Sequence, residues 1–358
     1  MSEVRSNVPI EDAPVWVLDD LRGGAAAAIG IAERVGVPFR RIPLNWNWMA
    51  PVAGFSRRGS LIGLAQPRLG LNGRGAEDRA PAFTPAVSLL APVPGGEGPK
   101  LVISSGARAS SVALWLKSRF ACHVVHCASP GPLLAPIGGL LRADAYDLLV
   151  VPAQDRPARL DNVFPVLGMP HRISPLALHH AAAAWAERLQ HLPRPHVVLL
   201  VGGPVRGTDM PPAMAHALGR KVARLALRQG GSVLASTSRR TGAEASDALA
   251  AGLSRAMNVL YRWGEPGENP YLGFLAGADA IVVTADSPSM LSEACGTEAA
   301  VYAALPELAG LRQRRLLSAL VQAGQLRPLR DELSNWPRPR LDEAGRVAAE
   351  IHRRFALD

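Results

Sequence analysis

Residues 281–295 constrain the fold more than any other part of the chain. Residues 281–284 are apolar or β-branched throughout, which predicts a short strand buried on both faces, as in a parallel sheet. Ser287 and Pro288 follow, and they favour a helix start because serine is a good N-cap and proline fits the first helical position. A buried strand that runs directly into a helix predicts an α/β fold. The free N–H groups of the helix N-terminus also predict an anion site.

The helix that begins there carries polar side chains on one face. Ser289 and Glu293 are four residues apart, so they lie on the same face just above the N-terminus. A carboxylate in that position can accept hydrogen bonds from both hydroxyls of a ribose, while the helix end binds phosphate. The alternative is an ordinary strand–helix unit with a solvated glutamate. The predicted nucleotide-site residues of this stretch are Asp286, Ser287, Ser289, Met290 and Glu293.

Length and composition predict a folded protein of two domains. The chain has 358 residues, of which 48% are hydrophobic and 19% charged, values typical of globular proteins. The net charge of +9 favours anionic partners such as nucleotides or phospholipid headgroups. The basic residues are scattered and form no helix-turn-helix, RRM or zinc-finger pattern, so no nucleic-acid partner is expected.

The cysteines and the N-terminal residues predict a cytoplasmic location. The three cysteines are odd in number and include no C-x-x-C pair, which supports neither a disulfide framework nor a zinc site and fits a reducing compartment. Residues 1–12 contain no apolar signal core, and no apolar run approaches the ~18 residues needed to span a bilayer. We therefore expect a cytoplasmic protein, with peripheral binding to the inner face of the cytoplasmic membrane as an extension of this hypothesis.

The first half begins with a strand at residues 15–18, followed by Asp19, Asp20 and a glycine-containing turn. Ligands in open α/β sheets bind at the carboxyl ends of the strands. Asp19 or Asp20 is therefore a candidate general base. The alternative role is a loop carboxylate or a helix cap.

Residues 42–64 combine aromatic side chains with an arginine pair. Such a combination is typical of an interfacial membrane contact or of the lip of a lipid-acceptor site. The alternative is that the tryptophans cover the domain core. The residues of this predicted lip are Trp46, Trp48, Phe55, Arg57 and Arg58.

A Pro-rich segment at residues 191–195 predicts the boundary between a domain of residues 1–190 and a domain of residues 196–340. The remaining residues, 341–358, predict a helix that crosses back to the first domain. In the second domain, glycines, hydroxyls, guanidiniums and an Asn-Pro-Tyr turn follow the strands, and they should converge at the carboxyl edge of the sheet. These additional nucleotide-site candidates are Gly202, Gly203, Ser238, Arg239, Arg240, Thr241, Asn269 and Tyr271.

Several motifs resemble the bacterial relatives of the mitochondrial-fission (elongated-mitochondria) family. They are residues 147–156, 238–241, 269–271 and 284–290, with Glu293 and Ala294 following. The resemblance extends from Trp16 to about residue 320. It implies a fold similar to GT-B glycosyltransferases: two Rossmann-like domains facing a cleft, each with a parallel sheet flanked by helices.

The resemblance implies an inverting glycosyltransferase that uses a nucleotide-diphosphate sugar, UDP being the expected nucleotide, and no cofactor. Gly202 and Gly203 would approach the diphosphate with Arg239, Glu293 would bind the ribose, and Asp20 would accept the proton of the acceptor hydroxyl. The chain has no Asp-x-Asp metal motif, so the helix dipole and arginine would stabilise the departing diphosphate. The acceptor would be a membrane lipid or another cell-envelope molecule.

The competing hypothesis is a non-catalytic scaffold with the same fold, which binds a nucleotide or protein partners at a membrane surface. Residues 21–25 lack the Gly and Gln pattern expected after the first strand, and residues 295–298 replace the usual Thr-Gly-Lys/Arg-Pro. A nucleotide-sugar epimerase that holds NAD is disfavoured, because none of the three lysines follows a tyrosine by four residues. The oligomeric state does not follow from the sequence.

Overall fold

The computed structural model describes residues 13–20, 25–46, 61, 64–65, 98–127, 143–155, 157, 159–204 and 210–357. The chain forms two compact units. The first comprises Met1–Val166, Pro170–Arg172 and Glu343–Asp358, and the second comprises Leu167–Met169 and Ile173–Asp342. Within the described ranges, no helix is long and apolar enough to cross a membrane.

The first unit is built on a sheet with strand order β3-β2-β1-β4-β5-β6-β7, in which the short β3 is antiparallel to β2 and the other neighbours are parallel. Its strands are β1 (Val15–Asp20), β2 (Phe39–Trp46), β3 (Leu64–Ala65), β4 (Leu101–Ser105), β5 (His123–Cys127), β6 (Leu148–Pro152) and β7 (Val163–Val166). Its helices are α1 (Ala26–Val35), α2 (Ala107–Phe120) and α9 (Glu343–Arg354), with short 3-10 turns at Ala143–Ala145 and Ala153–Asp155.

Alternate residues of the central strands of this sheet supply two cores. Trp16 and Val102 point to the face covered by α2. Val17 and Ile103 belong to the opposite core, which also contains buried side chains of α1 and α9. The strands are apolar on both faces because helices cover the sheet on both sides.

The second unit is built on a parallel sheet with strand order β10-β9-β8-β11-β12-β13. Its strands are β8 (His196–Val201), β9 (Ser232–Thr237), β10 (Asn258–Tyr261), β11 (Ala280–Thr284), β12 (Ala300–Ala304) and β13 (Arg327–Pro328). Its helices are α3 (Pro175–Leu189), α4 (Pro212–Arg228), α5 (Ala243–Leu253), α6 (Tyr271–Gly277), α7 (Pro288–Cys295) and α8 (Leu311–Gln322), with a 3-10 turn at Pro306–Leu308.

The strand order of the second unit is that of a Rossmann fold, 3-2-1-4-5-6 when its strands are numbered along the chain. The chain adds β9 and then β10 on one side of β8, and it then crosses over to add β11, β12 and β13 on the other side. A crevice therefore opens at the carboxyl ends of the first and fourth strands, here β8 and β11. Two helix-flanked, mainly parallel sheets confirm the predicted α/β class with two Rossmann-like domains.

The division between the units differs from the expected boundary at residues 191–195. Helix α3 belongs to the second unit because it packs against α6. Trp185 on α3 forms an edge contact with Phe274, with ring centroids 6.2 Å apart, within the roughly 4.5–7 Å typical of such pairs. A Cβ atom on Gly273 would lie 2.3 Å from the Trp185 ring, so this glycine allows the two helices to approach closely. The Pro-rich segment is therefore a turn inside the second unit.

Candidate functional site

The carboxyl ends of β8 and β11 are joined by hydrogen bonds. The Gly202 N–H donates to Thr284 Oγ1 (2.8 Å), and the Gly203 N–H donates to Asp286 Oδ2 (2.9 Å). The sequence-based hypothesis had both glycine N–H groups facing a diphosphate. In the structure they bind side chains of the neighbouring strand end instead.

The glycine pair is required for close packing. A Cβ atom on Gly202 would lie 2.3 Å from Asp286 Oδ2, and one on Gly203 would lie 2.1 Å from the Arg240 carbonyl oxygen. Neither distance is possible without movement of the backbone or of a buried carboxylate. The two glycines therefore allow the strand ends of this crevice to converge.

The loop after β9 closes the other side of this junction. Thr241 is buried, and its hydroxyl donates to the Gly202 carbonyl (2.6 Å) and accepts from the Ser238 N–H (2.9 Å). Arg240 donates to the Gly203 carbonyl (2.9 Å) and lies 3.3 Å from Asp286 Oδ2. Of the four predicted residues in this loop, Arg239 is the exposed one. It is therefore the guanidinium best placed to meet a ligand.

Asp286 is the central charge of the junction. Its side chain is fully buried, and Arg240 is its ion-pair partner. Oδ1 has no hydrogen-bond partner among the described residues. A buried carboxylate is costly unless it is paired, so the Arg240 contact compensates for much of its burial.

The N-terminus of α7 is available to an anion. Ser287 occupies the N-cap position in an extended conformation, but its side chain makes no capping hydrogen bond. Pro288 is at the first helical position, and the first turn contains no acidic residue. The first-turn N–H groups have no intrahelical partners, and the helix dipole places partial positive charge there. Ser289 is exposed at this end and Met290 is half-buried.

One turn further along α7, Glu293 pairs with Tyr271 of α6. The Tyr271 hydroxyl donates to Glu293 Oε2 (2.5 Å). Burial raises the pKa of Glu293, and the Tyr271 hydrogen bond acts in the opposite direction. The pKa of Tyr271 lies well above its ordinary value, because the phenol is desolvated next to a carboxylate. Asn269 Oδ1 accepts from the Tyr271 N–H (3.0 Å) and so fixes the start of α6.

Trp263 is a further candidate that the sequence analysis did not single out. It follows β10 closely, and its side chain is 58% exposed. Its backbone N–H donates to Thr237 Oγ1 (3.0 Å) at the end of β9. An exposed indole at the carboxyl edge of the sheet can stack on a nucleobase. The sequence signal was a tryptophan at the carboxyl end of an apolar run and directly before Gly264.

The first unit contains the candidate base residues at the end of β1. These residues are Asp19 and Asp20, and both carboxylates are buried. Arg41 donates to Asp19 Oδ2 (2.5 Å), and Arg108 donates to both oxygens of Asp20 (3.2 Å each). The carboxylates thus lie at the strand end predicted for them, each in contact with a guanidinium.

The predicted aromatic lip lies mostly outside the described residues. This applies to Trp48, Phe55, Arg57 and Arg58. Trp46 is in β2, is 7% exposed and belongs to the core of the first unit, with the Arg108 guanidinium 5.5 Å from the centre of its ring. Its placement corresponds to the core alternative. Within the described ranges, no three His, Cys, Asp or Glu side chains are grouped to hold a metal ion.

Comparison with known proteins adds family and fold information. The family model "Mitochondrial fission ELM1" matches residues 23–355. The mitochondrial fission protein ELM1 of Arabidopsis thaliana is 30% identical over 284 residues, which cover 73% of this chain and 65% of the relative. The chain thus spans slightly less than two thirds of that curated relative.

Two solved structures share the fold. The UDP-GlcNAc 2-epimerase of Methanocaldococcus jannaschii is 14% identical with a TM-score of 0.50, and the match covers 95% of this chain and 99% of that chain. The UDP-GlcNAc 2-epimerase of Neisseria meningitidis bound to UDP-GlcNAc is also 14% identical with a TM-score of 0.50, covering 95% of this chain and 90% of that chain. At this identity the likeness shows a GT-B-like fold alone.

Proposed function

The chain belongs to the mitochondrial fission ELM1 family, and from this premise we propose that it is an inverting glycosyltransferase of the GT-B type. Its donor would be a nucleotide-diphosphate sugar of the UDP type, bound by the second unit without a further cofactor. The observation that carries the proposal is the Tyr271–Glu293 pair one turn above an uncapped helix N-terminus. Both features lie at the crevice where a Rossmann-type sheet binds nucleotides.

The nucleoside would be recognised by Glu293 and Trp263. Glu293 accepts hydrogen bonds from the ribose hydroxyls, with Tyr271 fixing the orientation of the carboxylate. The exposed indole of Trp263 stacks on the base. A carboxylate acceptor suits a ribose because the diol supplies two donors on adjacent carbons.

The diphosphate would bind at the N-terminus of α7, with the exposed Arg239 as its counter-charge. In the transfer step, the acceptor oxygen bonds to the anomeric carbon from the face opposite the diphosphate, and the bond between that carbon and the diphosphate oxygen breaks. Negative charge then accumulates on the departing diphosphate. The helix dipole and the guanidinium stabilise that charge without a metal ion.

The proton of the acceptor hydroxyl would pass to Asp20 or Asp19 of the first unit. The acceptor class we propose is a lipid or cell-envelope molecule, with the protein bound peripherally at the inner face of the cytoplasmic membrane. A non-catalytic nucleotide-binding scaffold is the second candidate. It is favoured by one observation, namely that arginines already engage both carboxylates.

The test is calorimetric titration of UDP, ADP, GDP, CMP and their sugar conjugates into the wild type and variants. We expect saturable binding of the UDP compounds. Glu293→Ala should weaken it by ~1–3 kcal/mol, roughly 5- to 150-fold, because the ribose hydroxyls lose their acceptor. Tyr271→Phe should weaken it less. Glu298→Ala is the matched control, since this exposed glutamate lies just beyond α7 and pairs only at the surface with Arg340.

If no nucleotide binds to the folded protein, the proposed donor site is wrong. If UDP binds but no UDP-sugar is turned over with any lipid acceptor, the scaffold is the better description. In the enzyme, one of the two substitutions Asp20→Asn and Asp19→Asn should abolish transfer while leaving UDP binding unchanged. Equal binding by wild type and Glu293→Ala would show that the nucleotide lies elsewhere.

A further inference from the structure

The second unit contains a cavity that shares no lining residue with the candidate donor site. Its volume is about 660 Å³, within the range of roughly 300–1,000 Å³ that is usual for small-molecule pockets. It lies between α4, α8 and the segments that follow β12. The lining residues are Met214, Ala217, Leu218, Lys221, Ala303, Ala304, Leu305, Pro306, Glu307, Leu317, Ser318, Val321, Gln322, Pro328 and Leu329.

The walls of this cavity are largely aliphatic. On α4, Met214, Leu218 and Lys221 are spaced four and three residues apart, so they lie on one face of the helix. On α8, Leu317 and Val321 are four residues apart and face the same space. None of the described residues that line the cavity is aromatic. Flexible and branched aliphatic side chains without aromatic faces suit an alkyl chain better than a planar ring.

The helices that flank the cavity are uniformly basic. Helix α4 contains four basic residues and α8 contains three, seven in all, while neither helix contains Asp or Glu. These residues are Arg220, Lys221, Arg224, Arg228, Arg312, Arg314 and Arg315. The local field therefore favours an anionic ligand.

Lys221 belongs both to the cavity lining and to this set of basic residues. It lines the cavity, and its ammonium lies 3.3 Å from Asp331, whose side chain is 83% exposed. An ion pair with so exposed a carboxylate contributes little to stability, so an incoming anion can replace it at small cost. Glu307, the acidic residue of the lining, is itself exposed on the 3-10 turn.

We propose that this cavity binds a single-chain anionic amphiphile of the fatty-acid class, with the alkyl chain between α4 and α8 and the carboxylate on Lys221. The site is independent of the proposed glycosyltransferase function. Its ligand is taken as a monomer from solution, which distinguishes it from a surface that docks on a bilayer.

Calorimetric titration of the full chain with sodium octanoate, decanoate and dodecanoate, each below its critical micelle concentration, tests the site. Each added methylene should tighten binding roughly fourfold until the cavity is full. Dodecyltrimethylammonium, with the same chain and the opposite charge, should bind at least tenfold more weakly than dodecanoate.

Two variants with matched controls locate the ligand. Val321→Trp places an indole in the cavity at a position that is already 37% exposed, and it should reduce dodecanoate affinity at least tenfold. Leu227→Trp is its control, because Leu227 is an exposed residue of α4 outside the lining. Lys221→Gln should weaken dodecanoate several-fold more than Arg220→Gln does, since Arg220 is exposed and does not line the cavity.

Absence of dodecanoate binding, or binding unaffected by both Val321→Trp and Lys221→Gln, would overturn the proposal. If Val321→Trp does not fold, Ala217→Phe fills the same cavity from the exposed side of α4. Binding to vesicles of phosphatidylglycerol without binding to monomeric dodecanoate would also contradict it. Because the two sites share no residue, UDP binding by the Val321→Trp variant separates failure of this inference from failure of the proposed function.

Discussion

At the scale of single residues, His126 shows how burial fixes a protonation state. Its Nδ1 lies 2.9 Å from Ser104 Oγ on the neighbouring strand, and its ring stacks on Tyr146 with 5.1 Å between centroids. The Tyr146 hydroxyl in turn contacts the hydroxyl of Ser110. Desolvation lowers the pKa of His126 from 6.5 to about 4, so the imidazole is neutral in the folded protein.

This burial predicts a loss of stability in mild acid. The pKa of His126 is lower in the folded protein than in the unfolded chain. As the pH falls, the unfolded chain therefore binds more protons than the folded protein, and folding becomes less favourable. Above pH 6.5, protonation of His126 costs no stability. Between pH 6.5 and about 4 the free energy of unfolding falls progressively, and the total loss from this histidine is at most ~3 kcal/mol. Urea unfolding at pH 7 and pH 4.5 should show a smaller acid loss for His126→Gln than for wild type.

His180→Gln is the control for this comparison, since His180 is exposed on α3. It should keep the acid sensitivity of the wild type. Equal acid losses in wild type and His126→Gln would show that other groups cause the effect.

Sequence reasoning identified residue types in the candidate site, but it could not assign hydrogen-bond partners. Gly202 and Gly203 were singled out as glycines after a buried strand, and they do lie at the crevice. Their donors are bound by Thr284 and Asp286, which are more than 80 residues away in the chain. Whether a backbone N–H is available to a ligand depends on such non-local contacts, which a local pattern does not contain.

At the scale of elements, α7 is held at its carboxyl end by a distant arginine. The Arg338 guanidinium donates to the carbonyl oxygens of Cys295 (2.8 Å), Thr297 (2.9 Å) and Ala299 (2.7 Å). The last carbonyl groups of a helix have no intrahelical donors, and a cation there also complements the helix dipole. Arg338 therefore fixes the helix whose other end is the candidate anion site.

Arg338→Ala should destabilise the second unit. Three or more carbonyl groups lose a charged donor, and we expect a fall of about 2–4 kcal/mol in its unfolding free energy. Arg338→Lys should recover only part of this loss, because an ammonium does not reproduce the planar set of donors. Chemical denaturation measures the change. Arg340→Ala, which removes a surface pair with the exposed Glu298, should change stability by less than about 0.5 kcal/mol and serves as control.

The strand and helix that carry the site were predictable because their signals are local. The sequence predicted a strand at residues 281–284 and a helix after Ser287, and the structure has β11 at Ala280–Thr284 and α7 at Pro288–Cys295. A run of β-branched residues and a Ser-Pro helix start lie within the elements themselves. The role of Arg338 was not predictable, since this residue lies more than 40 positions beyond the carbonyl of Cys295 that it binds.

At the scale of the whole molecule, the two units do not follow sequence order. Helix α3 precedes the Pro-rich segment but belongs to the second unit, whereas α9, within the C-terminal segment predicted to return to the first domain, belongs to the first. In the first unit, α9 packs on α1, with Val347 and Ile351 buried in the core and His352 Nε2 2.9 Å from the Val35 carbonyl oxygen. This contact joins residues 317 positions apart.

The buried face of α9 contributes to a core of the first unit. A cavity in that face should therefore destabilise the first unit selectively. Ile351 is fully buried, so Ile351→Ala should cost about 2–5 kcal/mol. Hydrogen–deuterium exchange read by mass spectrometry should then show faster exchange in peptides from β1 and α1, with β8 and β11 unchanged. Arg353→Ala, on the exposed side of α9, should leave both sets unchanged. Equal loss of protection in both units would contradict this prediction, because it would mean that the two units unfold together.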